Sequence, residues 1–190
     1  MAEAPRISFS PVTAPKPGGT LVVYCDEGLK FGRHTTEALD AAAALVTRAA
    51  KAEHFTGKSG AALELIMPEG LKVGRLVVLG VGKMADLKAE DFVKLGGVAM
   101  GKLPKAGDAM VVADLPAAEK GKDGGKKVGM TAEQAADLAL GMRLRAYAFD
   151  RYKTKRKPDD KPAGKRNVVI ATGDAAAARK AFVVREAVAG

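Results

Sequence analysis

The sequence predicts an α/β fold, a mixed and mostly parallel sheet flanked by helices on both faces. Short apolar runs alternate along the chain with stretches of helical periodicity, a pattern typical of strands joined by crossover helices. The run Leu76–Leu79 is continuously apolar, as expected of a strand that is covered on both faces. With 190 residues, 47% of them hydrophobic and 28% charged, the chain suits one globular domain. We therefore expect residues 1–190 to fold as a single unit.

The first half of the chain predicts four strands and a helix between the second and the third. Proline and glycine residues separate the first two strands, and the helix has apolar residues at i, i+3, i+4, i+7 and i+11. The predicted strands are Arg6–Ser10, Thr20–Tyr24, Ala62–Met67 and Leu76–Val81, and the predicted helix is Arg33–Ala52.

The second half predicts three helices alternating with two strands. A helix begins near Ala89 and reaches Leu103, and the strand Met110–Ala113 follows it. The sequence Thr131-Ala-Glu-Gln134 is a capping box, so a helix is expected to begin there and run to about Phe149. A strand at Val168–Ile170 precedes a last helix that Asp174 can cap.

The apolar spacing of these two later helices predicts their buried faces. In the helix from Thr131, two neighbouring apolar rows predict a wide buried face, and they contain Leu138 and Met142 in one row and Leu140, Leu144 and Tyr147 in the other. In the last helix the expected apolar positions are Ala181, Val184 and Val188.

The composition argues against a membrane protein and against a disulfide framework. No apolar run approaches the roughly 18 to 20 residues that span a bilayer, and residues 1–17 lack the features of a signal peptide. We therefore expect a cytoplasmic protein with no membrane partner. Cys25 is the single cysteine and follows an apolar run, so we expect a small core side chain rather than a nucleophile.

The net charge of +9 is concentrated in two loop-like segments. Residues 151–166 contain eight basic residues against two acidic ones, and the Lys-rich stretch 116–130 holds a smaller excess. Clustered cations favour contact with nucleic-acid phosphates, and Tyr152 could stack on a base. A solvated loop is the alternative, and the candidate contact residues are Arg151, Lys153, Lys155, Arg156 and Lys157.

Residue patterns for catalysis or metal binding are weak. Only His34 and His54 are available as histidine ligands, and we expect both to face solvent. No local arrangement suggests a nucleophile with a base. The turn Gly80-Val-Gly-Lys83 could bind phosphate through backbone amides, although it lacks a full dinucleotide or Walker pattern. Tight-turn geometry is the favoured interpretation of these glycines.

The segment Tyr147-Ala-Phe-Asp-Arg-Tyr-Lys-Thr154 resembles a signature of the amino-terminal domain of the leucyl aminopeptidase (cytosol aminopeptidase) family. Phe55–Gly60 is similar to the family's F-x-G-K-x-G, and Leu76–Lys83 is similar to its strand and glycine turn. These matches occur in the family's order over most of the chain. The signature residues are Tyr147, Phe149, Asp150, Tyr152, Lys153 and Thr154.

The resemblance implies a macro-domain-like fold and a fragment of a larger enzyme. Family members are cytoplasmic, hexameric metallo-aminopeptidases in which two divalent metals, manganese or zinc, act on peptides with amino-terminal residues such as leucine. The resemblance places every metal ligand and catalytic residue in a catalytic domain absent from this chain, so we expect these residues to be inactive alone.

The implied role is packing against that catalytic domain, shaping the hexamer and limiting access to the active sites. Phe182, Val183 or Val188 in the last helix is then expected to be exposed. The alternative is a module that binds nucleic acid or nucleotide through loop 151–166, and some bacterial relatives are implicated in DNA binding.

Overall fold

A computed structural model describes residues 4–116, 130–152 and 164–189. Its strands are β1 (Arg6–Ser10), β2 (Thr20–Cys25), β3 (Ala62–Ile66), β4 (Arg75–Gly80), β5 (Gly107–Val112) and β6 (Arg166–Ala171). They form one sheet in the order β1-β6-β5-β2-β4-β3. Every neighbouring pair is parallel except β3 and β4, which are antiparallel. The predicted mixed, mostly parallel sheet is confirmed.

Helices cover both faces of the sheet, as predicted. The helices are α1 (Arg33–Leu39), α2 (Ala43–Ala52), α3 (Ala89–Lys102), α4 (Ala132–Tyr152) and α5 (Ala175–Ala189). One core cluster joins α1 and α2 to one face of the sheet, and the other joins α3, α4 and α5 to the opposite face. Alternate residues of each central strand therefore enter different cores, which explains their continuously apolar sequences.

The single helix predicted over Arg33–Ala52 is wrong in one respect, since it is broken in the middle. A short 3-10 turn, Asp40–Ala42, separates α1 from α2, and Asp40 has a φ of 34°. The backbone of Gly70 packs against Ala41 and Ala42 at the break. The change of direction lets Leu39 and Ala42 both enter the core, a local packing effect that periodicity does not reveal.

Both predicted helix caps are confirmed. The N–H of Gln134 donates to the hydroxyl of Thr131 at 3.2 Å, and the side chain of Gln134 accepts from the N–H of Thr131 at 2.9 Å. At the start of α5, the carboxylate of Asp174 accepts from the N–H of Ala177 at 3.0 Å. These bonds satisfy amides that have no partner within their helices.

The buried face of α4 is narrower than its sequence predicts. Leu138 and Met142 are fully buried as expected, but Leu144 is exposed and Tyr147 retains 69% of its accessible surface. The reason is the close approach of α3, where a side chain at Gly96 would overlap the backbone of Leu138 and one at Gly141 would overlap that of Val93. This seam of backbone contact sets the rotation of α4, so the row containing Leu144 and Tyr147 lies away from the core.

The predicted apolar face of α5 is correct at Ala181, which packs against the core, and wrong at its two valines. Ala178 and Phe182 enter the core, where the ring of Phe182 packs on Phe9 at a centroid distance of 5.6 Å. Val184 and Val188 are instead exposed. Arg185 fixes this rotation by pairing with Asp137 at 2.7 Å and by bonding Glu133, both on α4.

No helix among the described residues is both long enough and apolar enough to cross a bilayer.

Candidate functional site

Sheets of this topology bind ligands where the strand order changes direction, outside the carboxyl ends of the strands. The chain leaves β2 towards β4 on one side, whereas β5 lies on the other side of β2. The crevice between the carboxyl ends of β2 and β5 is therefore the candidate site that the topology indicates. The residues at this point are the start of α1 and Asp114, which follows β5.

Asp114 fills this crevice from within the chain. Its Oδ2 atom accepts hydrogen bonds from the backbone N–H groups of His34 at 2.8 Å and Thr35 at 3.2 Å. The side chain is buried, with 3% of its surface accessible. The carboxylate thus occupies the positive amino end of α1, where an external anion would otherwise be attracted.

Gly32 makes this arrangement possible. A Cβ atom at this position would overlap the carboxylate of Asp114. Gly32 immediately precedes α1 and has no side chain to cap it, so Asp114 supplies the cap from a distant part of the chain. Sequence analysis missed both residues, because an aspartate so far from the helix carries no local capping signal.

The glycine turn after β4 uses its amides within the fold. The N–H of Val81 donates to the carbonyl of Cys25, and that of Gly82 donates to the carbonyl of Gly57, both at 2.9 Å. Gly82 has a φ of 78°, and a side chain at Gly57 would overlap the backbone of Asp26. These contacts support the tight-turn interpretation, since the two amides are bound to carbonyls and do not face a ligand.

Cys25 is a core residue at the end of β2, as predicted. Its side chain is fully buried. Burial, with a smaller contribution from the charge of Asp26, raises the pKa of the Cys25 thiol to about 12. A thiol held protonated in this way is a poor nucleophile at neutral pH.

Neither histidine belongs to a group of metal ligands in the part of the chain that the structure describes. His54 is exposed as expected, whereas His34 is half-buried at the start of α1. Within residues 4–116, 130–152 and 164–189, no group of three or more His, Cys, Asp or Glu side chains is placed to hold a metal ion. The described residues therefore do not fit the two divalent metals that the family resemblance implies.

The signature segment straddles the end of α4. The helix contains Tyr147, whose exposed ring does not pack on the sheet, and its last turns carry Phe149, Asp150, Arg151 and Tyr152. Arg151 is exposed. The remaining predicted site residues, Lys153, Thr154, Lys155, Arg156 and Lys157, lie outside the described residues.

Basic residues gather at the amino ends of β1, β5 and β6. Arg6 and Arg166 begin two of these strands, which pair side by side, and Lys105 and Lys165 lie just before β5 and β6. Asp108 is an acidic residue at this end of the sheet. A hydrogen bond from Asn167, together with Lys16, lowers the pKa of its carboxyl. The described chain resumes at this same end of the sheet, where Gly164 and Lys165 precede β6.

Comparison with known protein families identifies the family of this α/β domain. A family model described as the amino-terminal domain of the cytosol aminopeptidase family matches residues 22–156. The chain belongs to this family.

Relatives in the cytosol aminopeptidase family match nearly the whole chain. A probable cytosol aminopeptidase of Rhodopseudomonas palustris strain TIE-1 is 51% identical over 184 residues, which is 96% of this chain and 34% of the relative. One from Bradyrhizobium sp. strain BTAi1 is 46% identical over 187 residues, or 97% of this chain and 35% of the relative. The chain thus spans about a third of the length of these relatives.

Solved structures confirm the fold. A tomato leucine aminopeptidase mutant superposes with a TM-score of 0.68 at 20% identity, covering 98% of this chain and 36% of that one. A macrodomain mutant of Oceanobacillus iheyensis gives a TM-score of 0.60 at 12% identity, covering 95% of this chain and 92% of that one. The expected macro-domain-like architecture of this cytosol aminopeptidase domain is therefore correct.

Proposed function

We propose that this domain is the non-catalytic amino-terminal part of a cytoplasmic, dinuclear-metal leucyl aminopeptidase that removes residues such as leucine from peptides. The observation that carries the proposal is the match to curated cytosol aminopeptidases over 96% of this chain but only 34% of their length. The remaining two-thirds of such a protein would supply the chemistry. Manganese or zinc would bind there, since the described residues of this domain offer no ligand set for either.

The role of the domain itself is to pack against a catalytic domain, to shape a homo-hexamer and to limit access to the active sites. Exposed valines on α5 support the packing role, and two of them, Val184 and Val188, lie one turn apart on the same side of the helix. Val183, Val184 and Val188 have accessible fractions of 59%, 63% and 86%, and Phe182 beside them is buried. Apolar side chains grouped on one surface in this way are typical of protein contacts.

Hydrolysis of leucine anilide in the presence of manganese or zinc tests the proposal. Three proteins are compared: this chain alone, the carboxyl-terminal two-thirds of the Rhodopseudomonas palustris relative, and a fusion of the two. We expect no hydrolysis by this chain and full hydrolysis by the fusion, with the relative's complete protein as the positive control. Hydrolysis by the 190-residue chain alone would overturn the assignment of a non-catalytic role.

Nucleic-acid binding is the second candidate function. The basic residues at the amino ends of β1, β5 and β6 favour it. Arg6, Lys105 and Lys165 are exposed there, close to the start of β6. Together they would extend a phosphate-binding surface beyond the loop itself. Binding of this kind weakens steeply as salt is added, because it depends on counterion release.

Retention of duplex DNA at low salt, measured with charge-reversed variants, tests this candidate. Reversal of Lys155, Arg156 and Lys157 is expected to abolish retention if the loop contacts DNA. Reversal of Arg33, Arg48 and Lys51, three cations exposed on α1 and α2, is the control with the same change of charge. Equal retention by both variants would exclude the loop as a DNA site.

A further inference from the structure

Strand β3 lies at the end of the sheet beyond β4, and within residues 4–116, 130–152 and 164–189 no strand pairs with its outer side, the free edge of β3. At its two ends, Gly80 N–H donates to the carbonyl of Ala61, and Met67 N–H donates to that of Gly74, each at 2.9 Å. Hydrogen-bonded and non-hydrogen-bonded pairs of residues alternate along an antiparallel ladder. The backbone groups of Leu63 and Leu65, which lie between these two ends, therefore also bond to β4. The N–H and C=O groups of Ala62, Glu64 and Ile66 therefore point outward from the sheet.

The side chains of these three residues lie on the face that α3 covers. Ala62 packs against the core cluster that contains α3. Glu64 pairs with Lys102 of α3 at 3.3 Å and with Arg75 of β4 at 2.9 Å. Ile66 follows on the same face beyond the end of the core, and 62% of its surface is exposed.

This edge lacks three of the features that prevent strands from pairing between molecules. Natural edges are commonly protected by an outward lysine, a proline or a bulge. The five residues of β3 read Ala-Leu-Glu-Leu-Ile and contain none of them. Its one charge, Glu64, is already bound by two cations of its own domain.

We propose that the free edge of β3 pairs with β3 of a second copy of this chain, antiparallel and about a twofold axis at Glu64. In that register Ile66 of each copy lies opposite Ala62 of the other. The large exposed side chain therefore packs on a small one at both symmetry-related positions. The outward groups of the three residues form about six hydrogen bonds between the copies. The contact is self-complementary, as a twofold interface requires.

The charges at the axis are compatible with this pairing. Two opposed carboxylates would repel each other if they were free. Each Glu64 is instead held between Arg75 and Lys102, so the two carboxylates meet within a ring of guanidinium and ammonium groups. The same ring favours a carboxylate at position 64 in the dimer.

This pairing would provide one of the twofold contacts that a closed symmetric hexamer contains. It rests on the proposed role in assembly only for its place in such a hexamer. Its test is sedimentation velocity of the 190-residue chain up to millimolar concentration, a readout separate from peptide hydrolysis. We expect a concentration-dependent dimer. A monomer at every concentration would overturn the inference and leave the aminopeptidase assignment intact.

Variants locate the contact. Glu64→Pro removes an outward N–H that the ladder with β4 does not use, and Glu64→Ala removes the same carboxylate but keeps the N–H. We expect Glu64→Pro to dimerise at least tenfold more weakly than Glu64→Ala. Ile66→Lys should likewise dissociate the dimer, whereas Val188→Lys on the distant helix α5 should not. A dimer that survives both Glu64→Pro and Ile66→Lys is formed by another surface and contradicts the proposal.

Discussion

The Oδ2 atom of Asp114 lies 2.8 Å from the backbone nitrogen of His34, which ties the end of β5 to the start of α1. The two residues come from opposite halves of the chain but meet at the point where macro-domain-like sheets open into a crevice. The carboxylate is buried, and Gly32 leaves just enough space for it. The amino end of α1 is thus capped by a side chain that belongs to the fold itself.

Replacement of Asp114 by alanine should destabilise the domain. The change leaves the amides of His34 and Thr35 buried without their acceptor, which costs about 2 kcal/mol. Asp114→Asn keeps one acceptor oxygen and should lower the free energy of unfolding by clearly less. Urea denaturation followed by circular dichroism measures both. An alanine variant as stable as the parent would show that solvent replaces the carboxylate without cost.

Glycines at the contact between α3 and α4 should differ sharply in their tolerance of alanine. Gly141→Ala would push a methyl group into the carbonyl of Val93 and should cost about 3 kcal/mol. A Cβ atom at Gly97, one turn along the facing helix, would lie an ordinary 3.8 Å from its nearest neighbour, the carbonyl oxygen of Gly141. Gly97→Ala should therefore stabilise the domain by about 0.5 kcal/mol through helix propensity. Thermal unfolding of the two variants compares them directly, and equal melting temperatures would contradict the seam of backbone contact.

Cys25 should react with thiol reagents only when the domain unfolds. Its folded-state pKa of about 12 lies above the ordinary value of 9.0, so burial favours the protonated thiol. The stability linked to this group is fully present below pH 9 and is lost as the pH rises towards the folded pKa. Labelling of the thiol with a chromogenic disulfide at pH 8, with and without urea, compares its reactivity in the unfolded and folded domain. Rapid labelling of the native chain would place the thiol at the surface.

The exposed valines of α5 should matter for domain packing and not for the stability of this domain. Val184→Ser with Val188→Ser should change the unfolding free energy of the 190-residue chain by less than about 0.5 kcal/mol, because both side chains already face solvent. In the fusion with the relative's catalytic part, the same pair should lower the melting temperature. Phe182→Ser, at a buried neighbour, is the contrasting variant and should destabilise both proteins.

Local signals in the sequence predicted much of the fold. The capping box at Thr131 and the cap at Asp174 depend on residues three positions apart, and both helix starts are correct. The apolar run in β4 correctly indicated a strand covered on both faces. Such features need no knowledge of the rest of the chain.

Features that depend on contacts between distant segments were not predictable in this way. The rotation of α4 follows from the approach of Gly96 on α3, and that of α5 follows from Arg185 pairing with Asp137. Periodicity alone therefore placed Tyr147, Val184 and Val188 on buried faces. The role of Asp114 was missed for the same reason, since its hydrogen-bond partners are about 80 residues earlier in the chain.

The position of β1 has a consequence for synthesis of the protein. This first strand is bonded to β6, from Arg6 beside Asn167 to Ser10 beside Ala171, and β6 is its one partner among the described strands. A ribosome delivers the chain from its amino end, so β1 has left the exit tunnel long before its partner is made. The growing chain must carry this strand without its partner until β6 has been translated. Completion of the sheet is consequently a late event, governed by when the last strand emerges.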